Sequence, residues 1–64
     1  MKVLLPGTKA TVEISGPMKV SALLRALDLN REAHLVIEGR TLVPTDALLA
    51  RDAEVEIRSV ISGG

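Results

Sequence analysis

Apolar residues recur along this chain at three different spacings, and each spacing predicts a different kind of element. Lys2–Leu5 is a short aliphatic run stopped by Pro6-Gly7, a strong turn signal. Ala10-Thr11-Val12-Glu13-Ile14 then alternates apolar and polar with period two, as a half-buried strand does. Turn-forming residues from Pro6 to Lys9 separate the two runs, so they predict an N-terminal β-hairpin, which Ser15-Gly16-Pro17 ends. The spacing changes at Val20. Together with Leu23, Leu24 and Leu27 it marks i, i+3, i+4 and i+7, one face of a helix. Ser21 is the predicted N-cap, with Val20 before it as a hydrophobic staple. Leu29-Asn30 is the predicted end, because Asn tolerates the left-handed backbone that closes many helices.

The second half is strand-rich. His34-Leu35-Val36-Ile37-Glu38 predicts a central strand, Gly39 a turn, and Arg40-Thr41-Leu42-Val43 a short strand stopped by Pro44. Thr45–Leu49 is long enough for one capped helical turn and too short to name as an element. After the polar turn Arg51-Asp52, Glu54-Val55-Glu56-Ile57-Arg58 alternates again and predicts the last strand. A hairpin, one main helix and further strands make a two-layer α+β domain, a mixed four- to five-stranded sheet against one helix. The order is that of the β-grasp, or ubiquitin-like, fold, and it also suits other small α+β folds.

Composition narrows the function more than the fold. The chain has 64 residues, eight basic and eight acidic, and contains no Cys, Phe, Tyr or Trp. That length predicts a single domain, residues 1–64, without room for both a catalytic constellation and a substrate cavity. Zero net charge and the missing aromatic platforms argue against direct contact with nucleic acid. Neither a membrane span nor a signal-peptide core is read, which predicts a cytoplasmic protein.

Chemistry of the chain's own is scarce, so no catalytic residue, metal ligand or bound cofactor is predicted. His34 has neither a Cys nor a second His to work with and reads as a surface or strand-edge histidine. Glu54 and Glu56 share one strand face and read as an exposed polar stripe. Gly16 and Gly39 read as turn glycines. What remains is the ending Ser59-Val60-Ile61-Ser62-Gly63-Gly64, directly after the last strand. Two terminal glycines make a tail without side chains, able to enter a narrow channel and offer its carboxylate to an electrophile.

These features, over essentially the whole chain, resemble the ubiquitin-like sulfur-carrier family (the ThiS/MoaD/TtuB type). Val20-Ser21-Ala22-Leu23-Leu24 looks like the family's helix start, Ile37-Glu38-Gly39 like its strand-turn segment, and Gly63-Gly64 like its defining tail. The Ile61-Ser62-Gly63-Gly64 ending is most similar to the TtuB type, which supplies sulfur for 2-thiouridine in tRNA. The lack of aromatics departs from many relatives.

The resemblance implies that a partner adenylating enzyme uses ATP to activate the Gly64 carboxylate. A persulfide-bearing sulfur donor then converts it to a thiocarboxylate, and a sulfur-accepting synthase or tRNA thiolase takes the sulfur. Gly63, Ser62 and Ile61 would thread the enzyme's site, within a flexible tail at 60–64. Thiamine or molybdopterin synthesis are alternative destinations for the sulfur. A ubiquitin-like modifier joined to lysines through Gly64, or a plain β-grasp interaction domain, are alternative roles. Strand parity adds a docking patch: if Leu35 and Ile37 pack on the helix, Val36 points outward and joins Val60 beside the tail.

Overall fold

The computed structural model describes residues 1–7 and 10–60. The chain runs β1 (Lys2–Leu4), β2 (Thr11–Glu13), β3 (Met18–Lys19), α1 (Val20–Ala26), β4 (His34–Glu38), β5 (Thr41–Val43), β6 (Leu48–Leu49) and β7 (Glu54–Ser59). Five strands form one mixed sheet in the order β2-β1-β7-β4-β5, and β3 pairs with β6 in a small second sheet. β7 lies parallel to β1 and antiparallel to β4. This is the expected α+β arrangement, a mixed five-stranded sheet packed on one helix in the β-grasp manner.

Alternation along the strands decides which face is buried. Val3, Val55, Ile57 and Val36 turn inward, and Val20, Leu23 and Leu24 of α1 cover them. Leu23 and Leu49 are fully buried. Burying one such side chain stabilises the fold by about 1.5–3 kcal/mol. With no aromatic in the chain, the core is a close aliphatic packing in which each branched side chain matters.

The helix keeps its predicted face but neither of its predicted ends. Lys19, not Ser21, occupies the N-cap, and no side chain caps it. The chain passes from β3 directly into α1, so Ser21 already lies inside the first turn. Backbone carbonyls do the capping instead: Val20 N–H donates to the Ala47 oxygen (3.0 Å) and Ser21 N–H to the Thr45 oxygen (2.9 Å). At the other end Asp28, at φ 59°, takes the left-handed conformation expected near Asn30. Asp28 N–H donates to the Arg25 oxygen (3.0 Å) and Leu29 N–H to the Leu24 oxygen (2.8 Å). That bond pair is the Schellman closure.

The segment left unassigned in the sequence, Thr45–Leu49, supplies β6 rather than a helical turn. Met18 pairs with Leu49 and Lys19 with Leu48, which ties the start of the helix to the return of the chain. Of the two glycines read as turn formers, Gly39 has φ 63° and fits that reading. Gly16 answers to crowding: a Cβ there would lie 2.6 Å from the Met1 methyl carbon and 3.2 Å from the Arg51 Cα.

Candidate functional site

The end of β7 is where sequence and fold converge. β7 is the middle strand of five, so the chain leaves the sheet from its centre, not from an edge. Its register with β4 runs from Val55 opposite Glu38 to Ser59 opposite His34. Val60 extends that register one step, its N–H donating to the Ala33 oxygen at 2.8 Å. Val60, expected at the start of the flexible tail, is therefore bonded to the fold. Ile61, Ser62, Gly63 and Gly64 lie outside the described residues.

The proposed patch of Val60 and Val36 is corrected by this register. Val36 stands opposite Ile57, and partners across a ladder share a face. Ile57 is buried, and Val36 with it, at 2% exposure. The assumed parity of β4 was inverted: Leu35 and Ile37 face outward and Val36 packs against the helix layer. Five consecutive residues with apolar side chains at 35, 36 and 37 carry no alternation, so only the pairing with β7 settles the direction.

Once the parity is right, an outward face of the sheet can be read row by row. Thr11, Leu4, Glu56, Ile37 and Leu42 form one cross-strand row over all five strands. Lys2, Glu13 and Glu54 make the row at one end, and Arg58 with Leu35 the row nearer the tail. Leu42 is 58% exposed, Leu35 41% and Val60 42%, while Leu4 and Ile37 are half-buried. The face is thus charged at the far end, while its apolar residues Leu4, Ile37, Leu42, Leu35 and Val60 lie in the other rows beside Glu56 and Arg58. Arg58 Nε donates to Glu56 Oε2 at 2.8 Å, which holds two of its charges against each other.

A hollow of about 670 Å³ opens beside this end, lined among others by Leu4, Leu5, Pro6, Glu56, Arg58 and Ser59. Among the described residues no group of His, Asp and Glu is placed to hold a metal ion. No helix among them is long and apolar enough to cross a membrane.

His34 sits at the start of β4, across from Ser59. Its Nδ1 lies 2.8 Å from the Asn30 carbonyl oxygen. A carbonyl accepts, so Nδ1 carries the proton of that bond. The histidine, expected on the surface or at a strand edge, stands half-buried at the end of an internal strand and is engaged with a turn. Leu35 and Leu42 were missed in the sequence as outward residues, and the signal for Leu42 was an aliphatic residue in a short run next to Pro44. Neither a protein-family model nor a curated protein matches the chain.

Proposed function

We propose that the chain is a sulfur carrier, a protein co-substrate whose reactive group is the Gly64 carboxylate. The observation that carries this reading is the junction of fold and ending. A Ser-Gly-Gly terminus follows, after two residues, the central strand of a β-grasp sheet. β7 therefore ends at the middle of the sheet, beside a face with exposed leucines. A partner adenylating enzyme docks on that face, over Leu35, Leu42 and Val60, and receives residues 61–64 in its active site.

The chemistry is then that of acyl activation. The Gly64 carboxylate attacks the α-phosphate of ATP, releasing pyrophosphate and leaving an acyl-adenylate. A persulfide sulfur of the donor protein displaces AMP and forms an acyl disulfide. Reduction of that bond by a thiol leaves the thiocarboxylate on Gly64 and a disulfide on the donor. The carrier contributes the carboxylate and the docking face, while ATP and every catalytic group belong to partners. The Ile61-Ser62-Gly63-Gly64 ending supports tRNA 2-thiolation as the destination, with no contact between the neutral carrier and the tRNA.

Intact-mass measurement of the protein purified from the cells that make it tests the reading. The expected species ends at Gly64 and carries one oxygen-to-sulfur exchange. A chain that continues beyond Gly64, or one never thiolated while sulfur transfer is active, overturns it. Gly-Gly remnants on lysines of other proteins, with no thiocarboxylate, assign the modifier role instead. Loss of 2-thiouridine in a deletion strain supports the tRNA destination, and a thiamine requirement alone rejects it.

A further inference from the structure

Three hydrogen bonds converge on Asn30, a residue the sequence marked only as a helix end. Its side-chain Oδ1 accepts from Glu32 N–H at 2.9 Å. Its carbonyl oxygen accepts from Ala33 N–H at 3.0 Å and from His34 Nδ1 at 2.8 Å. The side-chain bond imitates a backbone turn, as Asn does readily, and folds residues 30–33 back on themselves. Just before it, Leu29 is anchored by its bond to the Leu24 oxygen and is packed against the core. The turn is therefore held at its start by the helix end and at its finish by β4. What it presents is the Ala33 carbonyl, the acceptor for Val60 N–H.

We propose that Asn30 is a positioning residue for the tail. Through the 30–33 turn it fixes the Ala33 oxygen, and that oxygen fixes the direction in which the chain leaves β7. The functional part of this inference rests on the sulfur-carrier reading; the structural part does not. With Val60 clamped, four residues separate it from Gly64, a reach of at most about 14 Å when fully extended, so the clamp sets the point from which that reach is measured. His34 supports the same turn from the other side through the bond of its Nδ1 to the Asn30 oxygen.

Amide hydrogen exchange of the full chain, read by NMR, tests the clamp directly. Asn30→Ala removes the acceptor for Glu32 N–H and is expected to speed exchange at Val60 by about tenfold or more. The Val55 and Ile57 amides, inside β7, are expected to keep their rates. Asn30→Asp retains an oxygen at the same place and is expected to restore Val60 protection. Unchanged Val60 exchange in Asn30→Ala overturns the proposal. So does acceleration of Val55 and Ile57 in step with Val60, or a Val60 amide already unprotected in the unaltered chain.

Adenylation by the partner enzyme supplies a second readout. Asn30→Ala is expected to lower kcat and leave KM unchanged, because the docking face keeps its residues. A rise in KM at unchanged kcat contradicts the positioning role. If the unaltered chain is not adenylated at all, the sulfur-carrier reading fails, and the exchange experiment still decides the clamp.

Discussion

Val36 and Ile57 face each other across the β4–β7 ladder, and both are closed off from solvent beneath α1. Their neighbours on either side, Leu35 opposite Arg58 and Ile37 opposite Glu56, turn the other way. One strand thus contributes to the core through one residue and to the surface through the next. Truncating the two should have opposite signatures. Val36→Ala removes buried methyl groups and should destabilise by about 2 kcal/mol, lowering Tm by roughly 8–16 °C in a domain of this size. Leu35→Asp, at a position 41% exposed, should cost no more than about 1 kcal/mol, and on the sulfur-carrier proposal it should slow adenylation of Gly64. Thermal unfolding of both variants, with the adenylation rate of the second, checks the pair. A stable Val36→Ala variant with impaired docking would restore the outward parity.

Asp28 closes the helix with φ 59°, a conformation that costs any residue with a Cβ. Glycine adopts it freely. Asp28→Gly should therefore stabilise the domain by about 0.5–1 kcal/mol, a gain visible as a rise of several degrees in Tm. Asp28→Val should do the reverse, since a β-branched side chain fits the left-handed region worst. Equal melting temperatures for the two variants would mean that the Schellman closure does not depend on this residue.

Gly16 is constrained by crowding instead. A Cβ there would meet the end of the buried Met1 side chain at 2.6 Å and the Arg51 Cα at 3.2 Å, so both must shift to admit it. Gly16→Ala should cost about 1–3 kcal/mol by overpacking. Gly16→Ala combined with Met1→Ala should recover part of that loss, because the nearer of the two obstacles is gone. Denaturant unfolding of the single and double variants measures the recovery.

Much of the fold was legible because period is a local property. The spacing of Val20, Leu23, Leu24 and Leu27 and the alternation around Val55 and Ile57 state their own buried faces, and the structure has them buried or half-buried. β4 was not legible in the same way: with apolar side chains at 35, 36 and 37, its direction comes from pairing with β7. The caps were hidden for a related reason. Ser21 looks like an N-cap only if the helix begins after it, and what satisfies the first turn is a pair of carbonyls from residues 45 and 47. β3 and β6 are two residues each, below the length at which alternation says anything. The exposed leucines of the candidate face became visible only with that pairing, and the Asn30 turn only with its hydrogen bonds.

The centre of the sheet has a consequence for how the protein is made. On the ribosome β7 emerges after every other described element, yet the β1–β2 and β4–β5 pairs join into one sheet only through it. Before it arrives the nascent chain holds two separate hairpins, β1 with β2 and β4 with β5, and isolated two-stranded pairs are marginal in water. The outward rows over all five strands therefore form only once β7 has joined the two hairpins.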